Sequence, residues 1–350
     1  MSRKTTIISV LFALLALAIP VTAAAKARPG AVVFSQSWGE GSESESGLKG
    51  GLFAIRDGHL NQLSENAADA EPSFSPDGRT IAFARDGDLF SVRPDGSGQR
   101  QLTSGPEIDS APRVSPNGRY VVFERRASAG AAADLYTVGS KGGGTRALTT
   151  GANDDREAHF SPDGKAIVFV RGASDSAGAI NDDLYSVRPT GGGLAHLTVT
   201  AGIDEFAPRY FAGGILFSRG DDSESPAAYA DVYTMRRNGS QVRPQVQGVG
   251  SASVEDVSAD GHTLLFRRDQ GLWVKRIGPG KARKLTELPD GSKTNSVFSP
   301  DGRSIAAFIT AETTQQLMSI AVATGRKTEL ADSFETEAGA EIGPVIAWQP

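Results

Sequence analysis

The sequence predicts an all-β fold, a seven-bladed β-propeller made of four-stranded blades, on three observations. A Ser-Pro-Asp-Gly turn recurs along the chain, and successive copies lie 40 to 50 residues apart. The same order of β-rich runs accompanies each copy. The two ends of the chain contain complementary parts of one further unit. Repeats of about 40 to 50 residues with several short strands each are typical of propeller blades.

The recurring turn is explained by its backbone geometry. Pro presets φ at the first central position, Asp or Asn accepts hydrogen bonds from nearby N–H groups, and Gly adopts a positive φ. We therefore expect a structural role, not a catalytic one, for Asp77, Asp163 and Asp301. The turn occupies residues 75–78, 115–118, 161–164 and 299–302, with degenerate copies at 211–214 and 258–261.

Each unit contains four β-rich runs in a fixed order. The first run ends at an aromatic residue or Val just before the turn, as at Phe74, and the second follows the turn. The third begins with Asp, as at Asp88, and the short fourth run ends in Leu-Thr, as at Leu102. This order predicts complete units near residues 70–108, 109–153, 154–203, 204–250, 251–291 and 292–340.

The chain ends predict a composite seventh blade. Runs between residues 31 and 63 match the second, third and fourth runs of a unit whose first run is missing. Trp348 stands at the aromatic position of that missing run. A blade made from residues 31–69 and 341–350 would close the ring and remove the free sheet edges that otherwise pair with other chains. We expect residues 26–350 to form one propeller domain and the protein to be a monomer.

The first 25 residues have the pattern of a signal peptide that is removed on export. Arg3 and Lys4 form a short positive region, residues 7–19 are an apolar stretch, and small residues around Ala23 suit signal peptidase. The stretch is shorter than the roughly 20 residues that span a bilayer, which favours removal over a retained membrane anchor. Cysteine is absent, which excludes lipidation at an N-terminal Cys. We expect a periplasmic or extracellular protein without stable membrane insertion.

The composition excludes one class of partner. Of the 350 residues, 39% are hydrophobic and 22% are charged, which is typical of a globular chain. The formal net charge of −5 supplies no basic field for a phosphate backbone. We therefore expect no nucleic-acid partner.

The repeat resembles that of a known propeller family. The pattern Pro72-x-Phe-Ser-Pro-Asp-Gly, followed by Ile81-Ala-Phe, Asp88-Leu-Phe and Leu102-Thr, is similar to the WD-like repeat of TolB-like propellers. It is also similar to the propeller repeats of prolyl-oligopeptidase-type peptidases. The TolB resemblance implies six blades and a separate N-terminal α/β domain, whereas we expect seven blades and no such domain. Peptidase activity is not expected, because the Gly-x-Ser-x-Gly elbow of the α/β-hydrolase domain is missing.

The axis of the predicted ring is the first candidate site. The first strand of a propeller blade lies nearest the axis, and the residues before its aromatic position are Ser73, Arg113, His159, Arg209, Asp256, Val297 and Ala347. We expect Arg113, His159 and Arg209, with Asp256 beside them, to bind a carboxylate-bearing peptide or sugar by charge-assisted hydrogen bonds. In the alternative interpretation, these side chains pair with carboxylates between the blades, such as Glu157, Glu205 or Glu255.

The second candidate is the face that contains the loops between second and third runs and between blades. Clustered carboxylates on it suit a cationic partner or Ca²⁺. The alternative is a solvated acidic rim that keeps the protein soluble. These carboxylates are Glu40, Glu43, Glu45, Asp109, Asp154, Asp155, Asp175, Asp182, Asp204, Glu205, Asp221, Asp222 and Glu224. The opposite face is basic, with residues such as Arg93, Lys141 and Arg188.

Two functional classes follow from this fold. Some seven-bladed propellers with related repeats are metal-dependent polysaccharide lyases, whose sites need converging His ligands. The four histidines, His59, His159, His196 and His262, are spread over three units, and His159 and His196 share one. The sequence therefore favours a non-catalytic scaffold that binds a protein or peptide of the cell envelope. If the acidic face binds this partner, we expect the partner to be cationic. We expect no cofactor, Ca²⁺ being the one ion considered. The alternative is a metal-dependent polysaccharide lyase or other carbohydrate-active propeller enzyme.

Overall fold

Regular secondary structure is entirely β in the part of the chain that the computed structural model describes. The described residues are 30–36, 50–56, 58–174, 180–200, 202–220, 230–248, 250–311, 314–330, 334–335 and 346–349. They form 29 strands in seven antiparallel sheets. These ranges contain no helix of the length and apolarity that crossing a membrane requires. The predicted signal peptide, residues 1–25, lies outside the described residues.

The strands are numbered in chain order and grouped by blade. Blade 1 contains β1 (Val32–Gln36), β2 (Gly51–Arg56) and β3 (His59–Gln62). Blade 2 contains β4 (Ala70–Phe74), β5 (Ile81–Arg85), β6 (Asp88–Val92) and β7 (Arg100–Gln101). Blade 3 contains β8 (Ile108–Val114), β9 (Tyr120–Arg126), β10 (Ala133–Gly139) and β11 (Arg146–Ala147). Blade 4 contains β12 (Asp154–Phe160), β13 (Ile167–Ser174), β14 (Ile180–Val187) and β15 (Ala195–His196).

The later blades repeat this order. Blade 5 contains β16 (Asp204–Phe211), β17 (Gly214–Gly220), β18 (Ala230–Met235) and β19 (Arg243–Val246). Blade 6 contains β20 (Ala252–Val257), β21 (Thr263–Arg268), β22 (Gly271–Arg276) and β23 (Arg283–Glu287). Blade 7 contains β24 (Lys293–Phe298), β25 (Ser304–Ala311), β26 (Thr314–Ala321) and β27 (Lys327–Glu329), and β28 (Phe334–Glu335) also pairs with β26. The last strand, β29 (Ile346–Trp348), belongs to blade 1.

The blades close into a ring around their first strands. Each first strand contacts the first strand of the next blade, in the cycle β4, β8, β12, β16, β20, β24, β29 and back to β4. Blades 2 to 7 each pair four consecutive strands in order, and blade 1 pairs β29, β1, β2 and β3, which is the propeller arrangement. The prediction of a seven-bladed β-propeller is confirmed.

The composite blade joins the two ends of the described chain. Strand β29 pairs antiparallel with β1, and Trp348 lies opposite Val32. Beyond the strand, the Gln349 backbone N–H donates to the Ala31 carbonyl at 2.8 Å. The Gln349 side-chain amide also donates to the Gly78 carbonyl of blade 2 at 2.7 Å. Blade 1 is thus closed as the sequence predicted, and its last strand is tied to the neighbouring blade.

The Ser-Pro-Asp-Gly turns are held by their own side chains. In the first copy, Ser75 Oγ donates to Asp77 Oδ1 at 2.7 Å, and the Arg79 N–H donates to the same oxygen at 3.1 Å. Gly78 has φ +64, which a residue without Cβ adopts at no steric cost. The hydrogen bond from Ser161 is the main reason why the pKa of Asp163 falls to about 2 in the equivalent turn. The repeated acidic residue stabilises the hairpin.

The Leu-Thr pairs attach the short outer strands to the blades. In blade 3, the Leu135 N–H donates to Thr149 Oγ1 at 2.9 Å, and both groups are buried. The same bond joins the Leu89 N–H to Thr103 and the Leu184 N–H to Thr198. The preceding leucine, such as Leu148, is buried against the neighbouring blade. The motif therefore satisfies a buried donor and adds apolar packing at the same place.

The core lies between the blades in seven buried clusters of the described residues. Each cluster contains a residue from the first half of the second strand of one blade and the residue at the aromatic position of the next blade's first strand. In ring order these pairs are Val33/Phe74, Ala82/Val114, Val122/Phe160, Val168/Tyr210, Leu216/Val257, Leu265/Phe298 and Ala306/Trp348. Burying these surfaces is the main stabilising contribution in a fold without disulfides.

Candidate functional site

A cavity of about 290 Å³ lies on the axis, where the first strands meet. Its lining includes the predicted axial residue of every blade: Ser73, Arg113, His159, Arg209, Asp256, Val297 and Ala347. The structure thus brings together Arg113, His159, Arg209 and Asp256, the four residues chosen from the sequence. The lining also contains Glu255, which the sequence analysis named only as a carboxylate between blades, and Asn295, which it did not name.

A bulge in the first strand sets the direction of these side chains. In blades 2 to 5 the pairing with the second strand shifts two residues before the axial residue. The first residue of each bulge has a positive φ, for example 51° at Ala111 and 49° at Ala207. Such a backbone costs on the order of 1–3 kcal/mol in a residue other than Gly, so the surroundings must hold it.

Carboxylates from neighbouring blades hold the bulges in place. Glu157 Oε2 accepts a hydrogen bond from the Ala207 N–H at 2.7 Å, and Glu124 Oε1 accepts one from the Glu157 N–H at 2.9 Å. Glu71 does the same for the Ala111 N–H. Glu157 is therefore used by the backbone of the next blade. Its charge also favours the charged forms of Arg113 and Arg209, although it forms no ion pair with either of them.

The basic side of the cavity spans blades 3 to 5. Arg113 Nη1 donates to its neighbour Pro112 O at 3.0 Å, and Arg209 Nη1 donates to Pro208 O at 3.0 Å. Neither guanidinium forms an ion pair within the described residues. Burial lowers the pKa of both arginines, although a guanidinium stays charged in proteins. Burial, then repulsion by Arg209 and Arg113, hold the pKa of His159 well below its ordinary value, so its ring is neutral at pH 7.

The acidic side of the cavity comes from blade 6. Burial raises the pKa of Glu255 to about 7 and that of Asp256 to about 6. Asp256 Oδ2 accepts a hydrogen bond from the Phe298 N–H at 2.8 Å, and Thr294 Oγ1 donates to Glu255 Oε1 at 3.3 Å. At neutral pH the cavity therefore has two cations on one arc and ionising carboxyls on the other. This arrangement binds a carboxylate and a hydrogen-bond donor of the same ligand.

The predicted acidic face is organised differently from both interpretations. Asp109, Asp155 and Glu205 are buried, with exposed fractions of 2%, 0% and 0%. Each is bonded to an arginine of its own blade, as Asp155 is to Arg171 Nε and Nη2 at 2.6 and 2.7 Å. Asp182 is also buried and bonds Arg156. These carboxylates form neither a solvated rim nor a surface for a cation.

We call the repeated unit an arginine clasp. The guanidinium of Arg171 lies 5.6 and 4.9 Å from the ring centroids of Phe169 and Tyr185, so it is held by two rings as well as by Asp155. The clasp also occurs in the other blades from 2 to 5. The four pairs are Asp69/Arg85, Asp109/Arg125, Asp155/Arg171 and Glu205/Arg219.

The other two described carboxylates of the acidic face, Asp154 and Asp204, also bond to residues of the protein. Asp154 contacts Arg126 and Arg156, and Asp204 accepts a hydrogen bond from the Asp182 N–H. No group of three or more His, Cys, Asp or Glu placed to hold a metal occurs in the described ranges. The following predicted members lie outside the described residues: Glu40, Glu43, Glu45, Asp175, Asp221, Asp222 and Glu224.

The histidines lie apart from one another. His159 lines the axial cavity, whereas His196 stacks on Tyr185 at 4.2 Å between centroids, on an outer strand. His196 Nε2 is 2.9 Å from Asp183 Oδ2. His59 begins another outer strand, and His262 follows a hairpin turn.

Comparison with known proteins supports the fold and the repeat. No protein-family model matches the chain. An 80-residue segment is 31% identical to "Protein TolB homolog" of Chlorobium luteolum and covers 22% of this chain and 18% of that protein. A 64-residue segment is 44% identical to "Tol-Pal system protein TolB" of Gluconobacter oxydans and covers 17% and 14%. The matches therefore span less than a fifth of either relative.

Solved structures share the fold at low identity. TolB from Acinetobacter baumannii has a TM-score of 0.56 at 16% identity, over 92% of this chain and 67% of that chain. An oligogalacturonate lyase from Vibrio parahaemolyticus has a TM-score of 0.60 at 11% identity, over 79% and 87%. A puromycin-hydrolyzing peptidase from Mycobacterium tuberculosis has a TM-score of 0.63 at 13% identity, over 86% and 52%. At these identities the likeness shows the fold alone.

The ring of seven four-stranded blades and its charged axial cavity define the chain as a β-propeller with a polar centre. The segments of sequence identity to two TolB proteins confirm the resemblance carried by the repeat. The protein is therefore a β-propeller with segments similar to TolB proteins.

Proposed function

We propose that this TolB-like propeller is an exported, non-catalytic scaffold of the cell envelope that binds a segment of a partner protein in its axial cavity. One observation carries the proposal: Arg113 and Arg209 lie at one cavity without a carboxylate partner among the described residues. The similarity to TolB proteins, one of them named as part of a Tol-Pal system, supports an envelope partner. The signal-peptide pattern of residues 1–25 supports export.

The cavity suits a short segment better than a large ligand. Its volume of about 290 Å³ is just below the roughly 300–1,000 Å³ of small-molecule pockets. Two buried guanidinium groups bind a carboxylate strongly, because these groups have already lost most of their hydration in the folded protein. Glu255 and Asp256 accept hydrogen bonds on the opposite side. An acidic side chain followed by backbone N–H donors would satisfy both sides.

Replacing both axial arginines tests the proposal. We expect the wild-type protein, immobilised, to retain a specific envelope protein, and the Arg113→Ala/Arg209→Ala variant to bind it about 100-fold more weakly or worse. Two hydrogen bonds to charged groups account for this factor at about 1.5–3 kcal/mol each. The measurement is the Kd of the retained protein by calorimetry.

A matched variant controls for the loss of positive charge. Arg100 and Arg146 lie on exposed outer strands, where each donates to a backbone carbonyl of the next blade. Arg100→Ala/Arg146→Ala should bind like the wild type. Equal Kd values for the wild type and the axial variant would remove the axial cavity from the proposal.

The buried carboxyls give a pH dependence of stability. The pKa of Glu255 is raised to about 7 in the fold, so the folded protein binds this proton more tightly than the unfolded chain does. Its contribution to the free energy of unfolding is therefore unimpaired below about pH 4 and is lost as the pH rises towards 7. We expect Glu255→Gln to be more stable than the wild type at pH 8, by an amount on the order of 3 kcal/mol at most. At pH 4 the two proteins should be equal.

Urea unfolding at pH 4 and pH 8 measures this difference. Glu329→Gln, on the exposed outer strand β27, is the matched control and should show no pH-dependent change. A Glu255→Gln variant that loses stability at pH 8 would mean that the ionised carboxylate is a stabilising partner of the fold. The expected gain in stability at pH 8 would indicate that the charge of Glu255 destabilises the fold, which is common for residues of binding sites.

A further inference from the structure

At six of the seven interfaces between blades, at least one member of the pair is a large residue. At five of the seven pairs, the first-strand residue is aromatic, and these residues are Phe74, Phe160, Tyr210, Phe298 and Trp348. Where it is Val257, the partner is the larger Leu216. Where the partner is only Ala306, the first-strand residue is Trp348. At the interface of blades 2 and 3 both members are small, Ala82 and Val114.

A cavity of about 480 Å³ lies at this interface. Ala82 and Val114 line it together with Leu102 and Val121, which form an apolar floor. It opens beside two hairpin turns, since its lining also includes Pro76 and Asp77, Pro116, Asn117 and Gly118, and Ser140 and Lys141. We call it the blade 2–3 pocket. It adjoins the axial cavity, with which it shares Ser75 and Pro76.

We propose that the blade 2–3 pocket binds an aromatic residue with a free carboxylate, as at the C-terminus of a peptide. The shape of the space supports the ring: at five equivalent positions the protein inserts a Phe, Tyr or Trp of its own. The Ser91 hydroxyl lines the pocket and has no hydrogen-bond partner among the described residues, so it is available to a ligand. This site is separate from the proposed axial function and does not depend on it.

Charge at the mouth supports the carboxylate. Lys141 is exposed, lines the pocket and forms no ion pair within the described ranges. The lining contains one carboxylate, Asp77, and its Oδ1 already accepts hydrogen bonds from Ser75 Oγ and the Arg79 N–H. Lys141 therefore offers a counter-charge to an anionic group of a ligand.

Three short peptides test the ring and the carboxylate separately. We expect acetyl-Gly-Gly-Phe with a free carboxylate to bind the wild-type protein in calorimetry and to shift the NMR signals of the Leu102 and Val121 methyl groups. Acetyl-Gly-Gly-Ala should not bind, and the C-terminal amide of the Phe peptide should bind more weakly. Lys141→Ala should weaken binding of the acid but not of the amide.

Filling the pocket tests its location. Val114→Phe restores the aromatic residue of the other interfaces and should weaken peptide binding about tenfold or more, the change expected when one large apolar group is no longer buried. Its melting temperature should equal or exceed that of the wild type. If this variant does not fold, Ala82→Leu fills the space in the manner of Leu216. Arg146→Ala, on an exposed outer strand, should bind the peptide like the wild type.

The following results would overturn the proposal. One is the absence of methyl shifts at Leu102 and Val121 when the wild-type protein is titrated to millimolar peptide. Another is equal binding of the Phe and Ala peptides. A folded Val114→Phe protein with unchanged affinity would show that the pocket is a packing defect and that the peptide binds elsewhere. None of these results bears on the axial arginines, whose test uses other variants.

Discussion

A chain that ends at residue 345 should lose most of its resistance to unfolding and should aggregate. The truncation removes β29, which leaves one edge of β1 unpaired and exposed to pairing with other chains. It also removes Trp348 from the cluster that contains Phe34 and Phe308. Loss of a fully buried aromatic side chain costs about 3–5 kcal/mol, so loss of the half-buried Trp348 together with its strand removes a sizeable share of the 5–15 kcal/mol that typically stabilises a domain.

Urea unfolding and light scattering measure the two effects of the truncation. The control is Trp348→Phe, because Phe occupies this position in blades 2, 4 and 7. It keeps the closing strand and loses only part of the packing, so we expect a loss of about 1 kcal/mol and no aggregation. A truncated protein with the unfolding midpoint and scattering of the wild type would contradict the closed ring.

Arg171→Ala should destabilise the protein by about 3–5 kcal/mol, because it leaves the carboxylate of a clasp buried without its counter-charge. Asp155 is 0% exposed and has both oxygens bonded to this guanidinium at 2.6 and 2.7 Å. The substitution also removes the cation from the faces of Phe169 and Tyr185. Urea unfolding at pH 7 is the measurement.

A double substitution separates the unpaired charge from the lost packing. Arg171→Met/Asp155→Leu removes both charges and retains apolar volume, so it should recover most of the stability that Arg171→Ala loses. Arg146→Ala, at an exposed outer strand, should change the free energy of unfolding by less than about 0.5 kcal/mol. A loss below 1 kcal/mol for Arg171→Ala would mean that water replaces the guanidinium and that the clasp is not a sealed ion pair.

The sequence predicted what depends on periodic position. The turn and the aromatic position together define the register of each first strand, and this was enough to identify all seven axial residues and the role of Trp348. Glu255 was expected between the blades and not in the cavity, because the bulge of blade 6 is shorter than the others: pairing is displaced between Val254 and Asp256, with one residue between them. In blade 4 the equivalent displacement lies between Arg156 and His159.

The arginine clasps show why charge alone did not predict burial. Asp155 and Arg171 are 16 residues apart in sequence, and they meet because the first and second strands pair across the turn. The second strands of blades 2 to 5 share the sequence Phe-x-Arg. This pattern does not indicate that the carboxylate that pairs with the arginine is buried. A carboxylate next to a variable loop suggested a solvated face. The packing of the two rings over the guanidinium excludes water from it.

The sizes of the residues that face each other across a blade interface could not be predicted from the sequence, for a related reason. Val114 was recognised at the aromatic position, but its consequence depends on the residue that it faces in another blade. Ala82 lies in the preceding unit, and only the closed ring places the two together. A sequence repeat gives the position of each residue within its unit but not the sum of the volumes on both sides of an interface.

Because β29 pairs with β1, the chain could begin and end in another blade without any change in the ring. Residues 31 and 349 are adjacent, with the Gln349 N–H on the Ala31 carbonyl at 2.8 Å. A short linker between these positions, with new termini at an exposed glycine turn such as residues 142–144, would give a circular permutant in which every strand keeps its neighbours. The composite blade would then be blade 3, and the ring would be unchanged.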